Sequence, residues 1–239
     1  MVSVVIPAYN ESDRIGATID ALIGHKRSDS SNTESADHNT GDIIDEIIVV
    51  DDGSTDDTAA VARKAGAMVI TLSQNSGKGA AMNAGIKSAS GDILLLLDAD
   101  LGSTAAESLA LLKPVMEGAA DLAIATFPVI PGKGGGFGFV VNLARNGIRD
   151  CTGKEMLAPL SGQRAIRRTV LEKVGDIAPG FGAEVALTID ALCAGFRVVE
   201  IPTQMTHRVT GRDWRAIMHR LKQYLAVRSA LSSRRNRRC

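Results

Sequence analysis

Aromatic side chains make up only 3% of the 239 residues. A protein that binds single-stranded nucleic acid needs aromatic platforms on which bases stack, so the scarcity argues against that class. The core must instead be assembled from Ala, Val, Ile and Leu. Cysteine is also scarce. Cys151, Cys193 and Cys239 are widely spaced and form no CxxC or Cys/His ligand pattern, which argues against structural zinc and for a reducing compartment, with the cytoplasm as the expected location. No stretch approaches 18 consecutive apolar residues, and no basic region precedes the first apolar run, which ends at Pro7. Neither a signal peptide nor a spanning helix is expected, and the protein reads as soluble or peripheral.

No charge of either sign is in excess, because 27 Lys and Arg balance 27 Asp and Glu. The balance hides a split: residues 208–239 carry ten Lys or Arg and one acid, leaving the other 207 residues with a net charge of −9. What the chain does have is 45% hydrophobic residues, enough for one large core and too many for general disorder.

Short Val/Ile/Leu runs alternate with helix-period stretches through the first half. Strands are expected at Val2–Ile6, Ile43–Val50, Met68–Leu72 and Ile93–Leu97, with helices at about Ser12–Ile23, Thr55–Ala65 and Lys78–Ser90. This is a repeated βαβ pattern, and wholly apolar strands suit a parallel sheet buried on both faces. The expected fold class is α/β, a Rossmann-like and mostly parallel central sheet flanked by helices in a single domain. The second half is more mixed, with strands at Ser161–Ile166 and Arg197–Ile201 and helices at Thr169–Val174 and Glu184–Ala194. Residues 25–41 contain one apolar side chain, Ala36, and read as a solvated loop. Gly132–Gly138 holds five glycines in seven residues.

In open parallel sheets ligands bind beyond the carboxyl ends of the strands. Three of the expected strands end in polar or acidic clusters: Pro7-Ala8-Tyr9-Asn10-Glu11, Asp51-Asp52-Gly53-Ser54-Thr55-Asp56 and Asp98-Ala99-Asp100. Two carboxylates at i and i+2 in a loop can converge on one hard divalent cation. The competing explanation for Asp52–Asp56 is a turn with helix caps, and it is weaker for Asp98 and Asp100. Asn75-Ser76-Gly77-Lys78-Gly79 opens a helix with a lysine between two glycines, a setting suited to phosphate. It is not a P-loop, since Leu72 and Gly79 stand where that motif requires Gly and Ser/Thr. The glycine-rich segment likewise lacks the G-x-G-x-x-G register of a dinucleotide fold.

Taken in order, these four motifs resemble the family 2 type of nucleotide-sugar glycosyltransferase with a GT-A fold. The resemblance spans residues 2 to about 101. It implies a nucleotide-sugar-binding half at 1–101, with Pro7, Ala8, Tyr9, Glu11, Asp51 and Asp52 around the nucleoside. It also implies Lys78 near the diphosphate, Asp98 and Ala99 at the donor, and Asp98-x-Asp100 binding Mg²⁺ or Mn²⁺ through that diphosphate. Pro159–Ala165, Gly180-Phe181-Gly182-Ala183-Glu184 and Thr206-His207-Arg208 are similar to glucosyl-3-phosphoglycerate synthases and to polyprenyl-phosphate glycosyltransferases. By that resemblance His207 completes the metal site beside Asp100, residues 102–211 form the acceptor-binding half, and UDP-glucose is the donor. Where the synthases place an arginine after the glycines, this chain has Phe137.

The chemistry follows from the leaving group. A nucleoside diphosphate gains negative charge as the sugar C1–O bond breaks, and a divalent cation stabilises that charge without proton transfer. The catalytic carboxylates are then Asp98, Asp100 and Glu184. Glu184 either places a favourable charge at a helix start or hydrogen-bonds sugar and acceptor hydroxyls. Lys133, Gly135, Gly136, Arg145, Arg149 and Arg164 lie where the acceptor would sit, pointing to a small anionic acceptor such as 3-phosphoglycerate. Two alternatives stand beside this: transfer to a polyprenyl phosphate at a membrane surface, and a non-catalytic nucleotide-sugar-binding module.

The last segment, 212–239, is read as a basic helix and tail. Trp214, Ile217, Met218, Leu221, Leu225 and Leu231 fall on one stripe ringed by Arg212, Arg215, Arg220, Lys222 and Arg228. Either the stripe packs on the domain, or the helix lies on an anionic membrane, giving a peripheral location at its inner face. Residues 232–239 are expected to be disordered. The partners are therefore a nucleotide sugar and an anionic acceptor, with no nucleic acid; membrane contact and a homodimer are left open.

Overall fold

The computed structural model describes residues 1–27, 43–128, 138–206, 214–234 and 239, without the side chains of 214–220. The elements run β1 (Val2–Ala8), α1 (Ser12–Ile23), β2 (Glu46–Asp51), α2 (Thr58–Lys64), β3 (Met68–Thr71), α3 (Lys78–Ser88) and β4 (Ile93–Leu96). A 3-10 helix at Gly102–Leu111 continues into α4 (Leu112–Met116), followed by β5 (Leu122–Thr126), α5 (Phe139–Thr152), β6 (Arg164–Arg167) and α6 (Arg168–Val174). The chain then forms α7 (Ala183–Cys193), β7 (Val198–Pro202) and α8 (Trp214–Ser232).

Among the described residues, seven strands form one sheet in the order β3-β2-β1-β4-β6-β5-β7. β1 pairs in parallel with β2 and β4, β2 with β3, and β5 with β7. β6 runs antiparallel between β4 and β5. Every residue of β1 is buried, because the sheet is covered on both faces. Val4, Ile6, Ile47, Val49, Leu95 and Leu97 face one core, with Ile15, Ile19 and Leu22 of α1 packed on them. Val5, Ile48, Val50, Leu94 and Leu96 face the other, against residues of α3, α5, α6, α7 and α8. Each fully buried Val, Ile or Leu contributes about 1.5–3 kcal/mol, so the two cores fix the strand register. The strand order reverses at β1, placing its carboxyl end, and those of β2 and β4, around a crevice.

Several expectations are corrected. β5 and α5 were not anticipated; Leu-Ala-Ile-Ala-Thr is short and carries two alanines, and α5 holds Asn142, Asn146 and Gly147. α2 starts at Thr58 rather than near Thr55 because the Asp56 carboxylate accepts hydrogen bonds from the backbone N–H groups of Ser12 and Thr58 (3.2 and 3.0 Å) and holds the preceding turn. Cys193 and Cys239 are joined as a disulfide across 46 residues, against the expectation of reduced thiols. Ser232 closes α8 and Arg234 pairs with Asp190 (Nε to Oδ1, 2.9 Å), so this part of the segment expected to be disordered is fixed to α7. α8 does not bury the expected stripe: Leu221 and Leu225 are exposed, while Val227 is buried and Leu231 packs on the core. The face that docks carries Ala226 and Ala230, which lie close against Gly182. Ile217 and Met218 belong to side chains outside the described set, as does most of the solvated loop. Among the described residues no helix is long and apolar enough to cross a membrane.

Candidate active site

A cleft of about 560 Å³ opens beyond the carboxyl ends of β1, β2 and β4. Pro7, Ala8, Tyr9 and Glu11 line it from β1, and Asp52 from β2. Asn75, Gly77 and Lys78 enter from the start of α3, and Asp98, Ala99 and Asp100 from β4. Thus residues from four sequence motifs share one wall. Asp51 does not join them; its buried carboxylate accepts the Ser54 N–H at 3.1 Å and shapes the turn.

Asp52 is also buried, and its two carboxylate oxygens accept the N–H groups of Ser76 and Gly77 at 2.7 and 2.8 Å. It therefore presents the start of α3 to the cleft. The turn after β2 needs Gly53, whose φ is +71° and whose absent Cβ would sit 2.7 Å from the Gln74 carbonyl carbon. Asn10 accepts the Thr55 N–H at 2.9 Å, and Ser54 Oγ accepts the Asn10 N–H at 2.9 Å. The first two strand ends are cross-braced in this way.

Lys78 is the hinge of the charge arrangement. Its ammonium lies 2.6 Å from Asp98 Oδ1 and 3.5 Å from Glu184 Oε1. Desolvation opposes its charge, but the Asp98 and Glu184 carboxylates overcome this and raise its pKa above the ordinary lysine value. Gln163 Nε2 donates to Asp98 Oδ2 at 2.9 Å, so Asp98 is gripped at both oxygens. The Asp98–Asp100 loop is anchored from α1: buried Thr18 donates to the Ala99 carbonyl and accepts the Gly102 N–H, each at 2.8 Å. Arg14 donates to the Asp100 carbonyl at 3.3 Å. Thr18 escapes sequence reasoning because it carries no chemistry of its own, and Gln163 lies within the 159–165 motif without a role assigned to it; each acts by holding a neighbour.

Glu184 sits in the first turn of α7 and reaches Lys78 from the opposite side. Arg164, expected at the acceptor, is 1% exposed and lies behind Glu184 in the interior. Direct acceptor contact does not fit that burial. Arg145 is exposed on α5, and its Nε donates to the Leu157 carbonyl at 3.2 Å. Lys133, Gly135, Gly136, Phe137, His207 and Arg208 lie outside the described residues. Thr206 N–H donates to Thr104 Oγ1 at 3.2 Å, bringing the chain just before His207 to the segment that follows Asp100.

Among the described residues no three His, Cys, Asp or Glu side chains are grouped to hold a metal ion. Asp98 and Asp100 supply hard carboxylate oxygens at the cleft, the donor type that Mg²⁺ or Mn²⁺ takes. The residues present fit such an ion. The model for glycosyl transferase family 2 matches residues 3–175. The chain belongs to this family. Its mostly parallel, helix-flanked sheet is the GT-A fold.

Relatives narrow the comparison. The chain is 32% identical over 209 residues to a glucosyl-3-phosphoglycerate synthase of Mycolicibacterium paratuberculosis, covering 79% of this chain and 59% of the relative. It thus spans about three fifths of that synthase's length. An uncharacterized glycosyltransferase of Mycobacterium tuberculosis is 30% identical over 216 residues, covering 89% of this chain and 88% of the relative. The crystal structure of Mycobacterium tuberculosis glucosyl-3-phosphoglycerate synthase with Mn²⁺, UDP-glucose and phosphoglyceric acid is similar with a TM-score of 0.74 and 29% identity. That match covers 97% of this chain and 80% of the solved one.

Proposed function

We propose that this glycosyltransferase moves glucose from UDP-glucose to a small anionic acceptor of the 3-phosphoglycerate type, with Mg²⁺ or Mn²⁺ at the diphosphate. The observation that carries the reading is the joining of Asp98, Asp100 and Lys78 at the edge of a cleft whose other walls suit a nucleoside, facing Glu184. The similar synthase structure that holds Mn²⁺, UDP-glucose and phosphoglyceric acid supports the choice of donor and acceptor.

In this reading Tyr9, Glu11 and Asp52 border the nucleoside, and Asp51 shapes their turn. Asp98, Asp100 and His207 hold the metal, which when bound neutralises the developing charge on the leaving diphosphate. Lys78 adds a second positive charge there. An ammonium and a phosphate charge in contact attract by roughly 4 kcal/mol at an effective dielectric of 20, before desolvation. Lys78, which contacts Asp98 at 2.6 Å, would bind the diphosphate, and Asp98 would be one of the carboxylates available to hold the metal. Glu184, on the far side of Lys78, lies where the sugar attached to the diphosphate would extend, and its carboxylate accepts hydrogen bonds from sugar or acceptor hydroxyls. The anionic acceptor enters beside Arg145 and the segment of Lys133, Gly135 and Gly136.

Calorimetry with UDP, with and without Mn²⁺, tests the donor site on the native chain and on Asp100→Ala. Binding that requires Mn²⁺ and is lost in D100A is expected. A D100A variant that transfers sugar normally with an unchanged metal requirement would refute the metal assignment. Product analysis with UDP-glucose and either 3-phosphoglycerate, glycerol or a polyprenyl phosphate tests the acceptor. Transfer without preference for the phosphorylated small acceptor overturns that half of the proposal.

A further inference from the structure

Among the described residues, three buried side-chain polar atoms have no hydrogen-bond partner: Ser161 Oγ, Gln163 Oε1 and Arg164 Nη2. All three belong to the turn Ser161-Gly162-Gln163-Arg164 that leads into β6. Unsatisfied buried polar atoms are costly, and natural chains keep them where function requires. Arg164 is the notable member. It is the one buried Lys or Arg among the described residues, and no carboxylate is hydrogen-bonded to its guanidinium. Nε donates to the Ser161 carbonyl at 2.8 Å, and Nη1 donates to Thr188 Oγ1 at 3.0 Å. Thr188 in turn donates to the Glu184 carbonyl at 2.8 Å.

This makes a continuous strut. Arg164 opposes Leu96 across the β4–β6 ladder, at the end of the strand that leads to Asp98. The strut runs from there to the first turn of α7, which carries Glu184. A small cavity of about 30 Å³ lies between Lys78, Arg164 and Glu184, with Met82, Leu96 and Leu187 as its apolar wall. Its size suits a water or two. Burial pushes the Arg164 pKa down to about 10, while the Glu184 and Glu200 charges act in the opposite direction. The group therefore remains a cation near neutral pH.

We propose that Arg164 is a positioning residue for Glu184, tying the first turn of α7 to the β4–β6 ladder and placing a fixed positive charge on the interior side of that carboxylate. Stability alone does not explain it. A methionine fills similar space without desolvating a charge, and such replacements of buried ions are often neutral or stabilising. Arg164 thus exchanges stability for a fixed distance between Glu184 and the Asp98–Lys78 pair, and a displacement of even 1 Å at such a group is enough to slow the chemistry.

The test separates the two roles. Arg164→Met is expected to melt at or above the native temperature and to lose roughly tenfold to a hundredfold in kcat, with the KM for UDP-glucose within about twofold of native because the nucleotide wall is untouched. Arg164→Lys keeps the charge and should recover part of the lost kcat. Thr188→Val cuts the strut at its middle and keeps the cation, so it should lower kcat without moving KM even if R164M fails to fold. Native kcat in R164M or in T188V overturns the proposal. So does a fall of several degrees in the R164M melting temperature with turnover per folded molecule unchanged, which would mark an ordinary structural arginine. The inference rests on the donor reading above, and the two fail differently. A native chain that binds no UDP with Mn²⁺ sinks the donor assignment, while R164M turning over at the native rate sinks this one.

Discussion

Thr18 shows how much of the site is carried by side chains with no chemistry of their own. It is fully buried on α1 and makes the two hydrogen bonds that hold the backbone on either side of Asp100. Thr18→Val keeps the shape and strands the Ala99 carbonyl and the Gly102 N–H, so a loss of about 1–3 kcal/mol is expected in urea denaturation. The same variant should need more Mn²⁺ for half-maximal activity; an unchanged metal requirement would show that the loop holds its shape without Thr18. Asp56 gives a pH signature. Desolvation works against it, yet hydrogen bonds from Thr58 and Ser12 lower its pKa from 3.8 to about 2. A depressed carboxyl pKa stabilises the fold at pH values above the ordinary value, and the gain disappears as pH falls through about 2. The gap in urea midpoint between native and Asp56→Asn should therefore be full at pH 7 and narrower at pH 3; an equal gap at both would exclude the charge as its source. At this scale the sequence was informative about position and less so about role. Acids just past apolar strands could be found by spacing, whereas Asp51 and Asp52 have turned inward onto backbone N–H groups, a choice that depends on neighbours 3 to 25 residues away.

α7 is the element on which the second half of the molecule converges. Its first turn bears Glu184, Thr188 meets Arg164, Asp190 pairs with Arg234, and Cys193 is joined to Cys239. α8 closes over it at Gly182, where an added Cβ would come within 2.7 Å of the Ala226 carbonyl oxygen. A cross-link across 46 residues restricts the unfolded chain and stabilises the fold by up to about 4 kcal/mol on chain-entropy grounds. Dithiothreitol should accordingly lower the melting temperature of the native chain and leave Cys239→Ser unaffected. A peptide map without the Cys193–Cys239 cross-link, together with a melting temperature indifferent to reductant, would remove the latch. Elements with strong periodicity were legible: α1 has the bounds its Ile15, Ile19 and Leu22 spacing implies, and the four parallel strands of the first half lie within a few residues of their expected places. β5 was not, because a strand with alanines at its second and fourth positions shows little apolar contrast and is held by β6 and β7 rather than by its own propensity. The docking face of α8 was hidden for a related reason. Ala226 and Ala230 score poorly as apolar anchors, but the glycine opposite makes small side chains the ones that fit.

On the scale of the whole molecule, charge is segregated. Residues 208–239 hold ten of the 27 basic side chains, and the rest of the chain is acidic overall. Leu221 and Leu225 are exposed on α8 beside exposed Lys222 and Arg228, leaving apolar and basic groups together on the outer side of a helix whose other side is docked. Two leucines entering a bilayer interface contribute about 1.5–3 kcal/mol each at most, and basic residues near an anionic surface about 1 kcal/mol each. Weak binding dominated by charge follows. The chain should sediment with vesicles containing anionic lipid at low salt, release them as the Debye length shrinks below about 8 Å, and ignore neutral vesicles. A chain ending at Leu231 loses Arg234, Arg235, Arg237 and Arg238 and should bind at least about tenfold more weakly. Leu221→Ser with Leu225→Ser should reduce what remains, because the two leucines add an apolar share to the attraction of the six basic residues left in 208–231. Equal binding to neutral and anionic vesicles would show that the charge segregation does not act on membranes. Strong anionic binding that raises transfer to a polyprenyl phosphate over 3-phosphoglycerate would reassign the acceptor, since only a lipid acceptor gains from holding this cleft at a bilayer.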